Sequence, residues 1–155
     1  MPNKLKTAAR WLRHRGSLLV APLSVGVRAM VQDADGALLL VRHTYAPGWH
    51  FPGGGVAPGE TAFEALNREL VEETGLRLDT PGELAGVFLN RSLSNRDHVL
   101  LFKCARWQRI RQFQPNFEIA EARFFAVAEL PADISRGTKR RLDEIANDTE
   151  RSSYW

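Results

Sequence analysis

At 155 residues, 44% of them apolar and 25% charged, the chain has the size and composition of one globular domain with one sizeable core. No run approaches the roughly 18 to 20 apolar residues that span a bilayer, and a single cysteine, Cys104, excludes an internal disulfide and suits a reducing, cytoplasmic setting. The net charge of +3 and sequence pI ≈ 9.4 are by themselves weak support for a nucleic-acid partner.

Part of the basic excess lies in residues 4 to 15, where Lys4, Lys6, Arg10, Arg13, His14 and Arg15 alternate with Leu5, Ala8, Trp11 and Leu12. This pattern predicts a basic N-terminal helix over 1–15 that docks its apolar side on the domain. Such an arm can also attract phosphate-rich partners, anionic lipid or nucleic acid. The following stretch, residues 16 to 23, bears a faint likeness to a signal peptide, but it runs straight into a core strand, and export is not expected.

Ser24 to Gln32 and Gly36 to Arg42 read as strands, and the intervening Asp33-Ala-Asp-Gly carries turn chemistry that predicts a hairpin. A loop of small, aromatic and proline residues follows and closes on three glycines, Gly53 to Gly55, a backbone built for a sharp bend or a close approach. The best helix runs from Thr61 to about Thr74. Thr61 and Glu64 fit a capping box, Gly75 is a C-terminal stop, and Phe63, Leu66 and Leu70 form the apolar stripe. Strands are expected at Gly82 to Asn90, His98 to Ala105 and Ala120 to Ala128, and a final amphipathic helix over 135–147. Helices and strands mix without strict alternation, which favours an α/β/α sandwich around a mixed β-sheet within a single domain over 1–155.

The chemistry is concentrated in the central helix. Glu69, Glu72 and Glu73 stand at i, i+3 and i+4, so their carboxylates share one face and repel one another. Acid clusters on helices are ordinarily solvated faces. Here a triple-glycine loop and Glu60 directly precede the helix, and glycines let main-chain carbonyls turn inward and phosphate approach the backbone. A hard divalent cation, Mg²⁺ or Mn²⁺, would offset the repulsion and prefers such oxygen ligands.

Read from Gly54, the chain runs through five residues to Glu60, through seven more to Arg68, and on as Arg68-Glu69-Leu70-Val71-Glu72-Glu73-Thr74-Gly75-Leu76. This resembles, at every fixed position, the box that defines the Nudix hydrolases, a coincidence expected by chance on the order of once in 10⁸ such chains. Trp49-His50-Phe51-Pro52-Gly53 also resembles that family's lead-in. The resemblance implies metal-dependent hydrolysis of a nucleoside diphosphate linked to another moiety. It makes Gly53 (through its carbonyl), Glu69, Glu72 and Glu73 the metal ligands, with Glu69 or Glu73 as a catalytic base. It casts Arg68 and Glu60 as structural support, and adds a carboxylate from a later loop, for which Glu118 and Glu121 are the candidates. Metals in such a site neutralise phosphate charge, orient the diphosphate and lower the pKa of a bound water.

Substrate contacts are less legible. Arg42 is expected to reach a phosphate, Gly54 to let one approach, and Arg91 to border the pocket. Tyr45, Trp49, Phe51 and Phe88 are candidates to stack on a base, although aromatics at such spacing more often belong to a core. No additional motif separates ADP-ribose, a nucleoside triphosphate or a triphosphate-capped RNA end. Dimerisation through the basic ends is open. Two other classes stand beside the hydrolase: a nucleotide-binding regulatory module on the same fold, and an isoprenoid-diphosphate isomerase, which would need Cys104 as a catalyst.

Overall fold

Alternation along the first strands decides the layering. In the computed structural model, which describes residues 23–155, β1 (Ser24–Val31) turns Val27, Ala29 and Val31 to one side and Met30 to the other. On β2 (Leu38–His43), Leu39 joins the first side while Leu38 and Leu40 join the second. Strands apolar on both faces need a cover on each. The helix α1 (Ala62–Thr74) supplies one with Ala65, Leu66 and Leu70, and α2 (Arg136–Ala146) supplies the other with Leu142 and Ile145. The result is an α/β/α sandwich. The basic helix expected over 1–15 lies outside the described residues. Among those described, no helix is long and apolar enough to cross a membrane.

The remaining elements are β3 (Trp49–His50), β4 (Leu76–Leu78), β5 (Glu83–Leu89), β6 (Asp97–Cys104), β7 (Trp107–Arg109) and β8 (Ile119–Phe125), with a 3₁₀ turn at Val127–Glu129. They form a mixed sheet β1-β6-β5, in which β1 and β6 are parallel, an antiparallel sheet β3-β2-β8, and the ribbon β4-β7. The short strands β3, β4 and β7 carry too few residues to show a period.

The expected hairpin between β1 and β2 is not formed. Asp33 closes the turn, its Oδ1 accepting from the amides of Asp35 (3.0 Å) and Ala37 (2.8 Å), but the two strands share only the Gln32–Leu38 bridge. A strand has two edges, and both edges of β1 are taken. One pairs with β6 over its full length. The other receives the glycine loop: Val27 N donates to Gly54 O at 2.8 Å, Ala29 N to Pro52 O at 2.9 Å, and Val56 N to Val25 O at 2.9 Å. With no edge of β1 left, β2 pairs with β3 and β8.

The helix α1 is fixed at both ends. Thr61 Oγ1 accepts from Glu64 N (3.2 Å) while the Glu64 carboxylate accepts from Thr61 N (2.8 Å), and Gly75 ends the helix in the left-handed region at φ 76°. Arg111, from the chain after β7, donates to the carbonyls of Val71 (2.7 Å) and Glu72 (2.9 Å), placing a cation at the helix C-terminus.

Candidate active site

Docking of the glycine loop on β1 sets it against the acidic face of α1. Gly53 N donates to a carboxylate oxygen of Glu73 at 2.8 Å. The loop passes so close to β1 that a Cβ on Gly53 would lie 2.1 Å from Val27 O, and its φ of 143° is one that side chains disfavour. Next to it, a Cβ on Gly54 would lie 2.5 Å from the Glu69 carboxylate. Gly53 thus lets the loop dock on β1, and Gly54 leaves room for the Glu69 carboxylate beside the loop.

The three acids differ in surroundings. Glu73 is buried, 4% exposed. Burial first, and then the charge of Glu69, hold its carboxyl well above the usual carboxylate range, against the opposing Gly53 hydrogen bond. Glu69 accepts from Arg68 Nη1 at 2.5 Å, and Glu72 stands 3.7 Å from the same nitrogen at the more open end. Arg68 also makes a two-pronged contact with Glu60, Nε to Oε1 at 2.7 Å and Nη2 to Oε2 at 2.9 Å, and donates to Gly55 O at 3.0 Å. Glu60 in turn accepts from Ala57 N at 3.0 Å. Those bonds, with Glu60 contributing most, keep the guanidinium cationic, and through them Arg68 ties the helix to the loop.

Among the described residues no three His, Cys, Asp or Glu groups are already gathered at metal-ligand spacing. The reason is visible: Glu69 is drawn to Arg68, and Glu73 to the Gly53 amide. The donor set nevertheless fits a hard divalent cation. It is all oxygen, and it includes a buried carboxylate whose ionisation is opposed by burial and by a like charge, a cost that a bound cation removes.

The later carboxylates separate. Glu118 immediately precedes β8, and its charge acts on both Glu73 and Tyr45. Glu121 is engaged by Arg42 at 3.6 Å and Arg123 at 3.9 Å. Arg28 on β1 was not singled out from sequence. Its charge acts on Glu73, His43, His50 and Tyr45, which makes it the cation of this neighbourhood beside Arg68. No local pattern marks it, because only the pairing of β1 with the glycine loop brings it there.

Four of the expected substrate contacts are engaged elsewhere in the structure. Trp49 and Phe51 are 2% and 0% exposed and belong to the core under α2, so neither ring offers a face to a ligand. Arg42 lies over the Trp49 ring at 4.8 Å and donates to Asp133 at 3.1 Å, on the α2 side of the sandwich and away from the α1 carboxylates. Arg91 is exposed and bound to the C-terminal tail, its guanidinium 4.1 Å from the Tyr154 ring centre and donating to its hydroxyl at 2.9 Å. Cys104 is 3% exposed in the α1-side core, and burial pushes its thiol up to about 12, which removes the reactive cysteine an isomerase would need.

The family model described as NUDIX domain matches residues 22–145 of this chain. The chain is 28% identical over 122 residues to a putative 8-oxo-dGTP diphosphatase of Bacillus subtilis, covering 79% of each protein. It is 38% identical over 73 residues to an RNA pyrophosphohydrolase of Coxiella burnetii, a match that takes in 45% of this chain and 32% of that protein. Among solved structures it resembles the MutT NUDIX hydrolase of Burkholderia pseudomallei, with a TM-score of 0.68 at 24% identity over 81% of this chain and 99% of that one. That likeness speaks for the fold.

Proposed function

We propose, from the premise that the chain belongs to the NUDIX family and is one of its hydrolases of phosphorus anhydrides, that it cleaves the diphosphate linkage of a nucleoside diphosphate joined to a further moiety. The observation that carries this reading is the convergence of the Gly53–Gly55 backbone with Glu69 and Glu73 on one face of α1. Glu69, Glu72 and Glu73, with the Gly53 carbonyl, would hold Mg²⁺ or Mn²⁺. When bound, such an ion neutralises phosphate charge and acidifies water.

The chain's own residues do the remainder. Water attacks one phosphorus, the bridging P–O bond breaks, and its electron pair leaves with the other phosphate. The water's proton passes to a carboxylate, for which Glu69, Glu73 and Glu118 are the groups at hand. Arg68 and Glu60 keep the helix and loop in register during this step, since positioning and electrostatics carry phosphoryl chemistry. Nucleoside triphosphates, nucleotide sugars such as ADP-ribose and triphosphate RNA ends belong in the substrate class to be tested. A cytoplasmic setting fits such substrates.

The test is a panel of these compounds with Mg²⁺ or Mn²⁺, products resolved by chromatography, alongside E72Q and E73Q. Release of nucleoside monophosphate, phosphate or pyrophosphate by the native chain, abolished in both variants with the fold retained, is the expected result. Nucleotide binding without turnover in the native chain would instead favour a regulatory module.

A further inference from the structure

The ribbon β4-β7 supplies none of the carboxylates, yet it is built onto the helix that does. Gly75, which ends α1, accepts through its carbonyl from the amides of Ile110 (3.0 Å) and Arg111 (3.3 Å), and Arg111 Nη2 donates to Val71 O and Glu72 O. The ribbon therefore leaves from the turn of α1 that bears Glu72, the most open of the three acids.

Its outward surface is basic. Residues 105 to 117 carry three arginines, three glutamines and no acid. In the register of the ribbon, Arg77 stands opposite Gln108, between the pairs Leu76–Arg109 and Leu78–Trp107. Leu76 and Leu78 enter the core under α1, so Arg77 and Gln108 take the outer face. Arg77, Arg106, Arg109 and Arg111 are all exposed. The side chains of Arg77, Arg106 and Arg109 have no ion-pair or hydrogen-bond partner among the described residues, unlike Arg42, Arg68 and Arg141, each of which meets a carboxylate. Asp79, which follows β4, is taken by Gln108 Nε2 at 2.7 Å.

Cations gathered without counter-charge attract a polyanion. Place and chemistry say which one. Extended chain from Arg106 to Arg109 covers roughly 10 Å, longer than a single diphosphate reaches, and it starts beside the carboxylates. A diphosphate linkage continued by a chain of further phosphates is the 5′ end of an RNA begun on a nucleoside triphosphate. Glutamines among the arginines suit the phosphate and sugar oxygens of such a chain. Apart from Ile110, the ribbon's large apolar side chains are buried or half-buried, too little apolar surface to enter a bilayer.

We propose that the ribbon is an RNA-binding surface, Arg77, Arg106 and Arg109 holding the backbone of a single-stranded RNA whose 5′ phosphates lie at the carboxylates of α1. The inference rests on the hydrolase reading for the place of the 5′ end. The contacts are to phosphates, so the surface favours RNA over a mononucleotide without reading its sequence.

The experiment measures binding of an RNA that carries no diphosphate, which separates its failure from failure of the hydrolase reading. The full chain is titrated into a 3′-labelled, 5′-hydroxyl RNA, and anisotropy is read between about 0.05 and 0.2 M salt. The native chain should bind with a slope of log affinity on log salt of about −2, from ~0.7 for each of the phosphates held. The triple variant R77A, R106A and R109A should lose about tenfold or more at the low-salt end. A triple with the same change of charge elsewhere, R96A with R123A and R136A, should lose about twofold. Vesicles of phosphatidylserine in phosphatidylcholine should not bind through the ribbon. If a triple melts below the native chain, the single variants replace it, each ribbon variant making the slope shallower by about 0.7. The proposal is overturned by a native chain that does not bind the RNA at low salt, by equal losses in the ribbon and control variants, or by vesicle binding that the ribbon variants abolish.

Discussion

A Cβ on Gly54 would sit 2.5 Å from both Cδ and Oε1 of Glu69, so the absence of a side chain at one residue defines where the carboxylate of the other rests. The atoms in the way are the end of a side chain and not backbone, so the collision is relieved by moving Glu69. G54A should therefore melt near the native temperature but lose about a hundredfold in kcat, the scale of an ångström-sized misplacement. Steady-state kinetics and a thermal melt on the same sample check it.

Its neighbour behaves differently. A Cβ on Gly53 would meet Val27 O at 2.1 Å, at a residue whose φ is 143°, and every atom it would meet is backbone. G53A should cost about 3 kcal/mol of stability or more, the range for a strained position with no room to relax. Urea unfolding measures this, and a native-like midpoint would show that the loop can lift from β1.

Acid sensitivity should come in part from His43. Burial first, then the charges of Arg28 and His50, push its imidazole down from 6.5 to about 3. Between those values the unfolded chain binds a proton that the folded chain refuses. Its contribution is therefore neutral above pH 6.5 and increasingly destabilising as pH falls towards 3. One proton limits the slope to about 1.4 kcal/mol per pH unit. H43F should unfold with a flatter dependence on pH across this window, read from urea midpoints at stepped pH; parallel curves for the two proteins would refute it.

Arg141 is 1% exposed, lies 4.1 Å from the Phe88 ring centre and donates to Glu144 Oε1 at 2.7 Å. Its Nε and Nη1 are buried with no hydrogen-bond partner among the described residues. E144Q leaves that cation without its counter-charge and should destabilise by about 3 kcal/mol, whereas replacing both members, as R141M with E144M, should recover most of the loss. Denaturant unfolding of the single and double variants tests this, and additive losses would show the pair to be unimportant.

The reach of local sequence rules is seen in α1 and the loop before it. Thr61, Glu64 and Gly75 sufficed to bound the helix, and the spacing of Glu69, Glu72 and Glu73 sufficed to share a face, because helical geometry is complete within a few residues. The box from Gly54 to Leu76 led to the family for the same reason: its parts are consecutive. The layered architecture was legible in the mixed order of helices and strands, whereas the two-sided burial of β1 and β2 came from the structure.

Tertiary structure decided what depends on a distant partner. Asp33 and Gly36 form a turn, yet β1 parts from β2 because β6 and the glycine loop take both its edges. Trp49, Phe51 and Tyr45 are aromatic residues in one short stretch of chain, and only the core beneath α2 separates the two buried rings from the exposed one. Arg42 and Arg28 carry the same charge, but Asp133 holds the first on the α2 side, while the docked loop brings the second into the field of Glu73. The sequence by itself thus determined the helix, its carboxylate face and the family, which rest on contacts among near neighbours. Strand partners, burial and the surroundings of each charge depend on contacts between residues far apart in the chain, and these the folded packing alone decides.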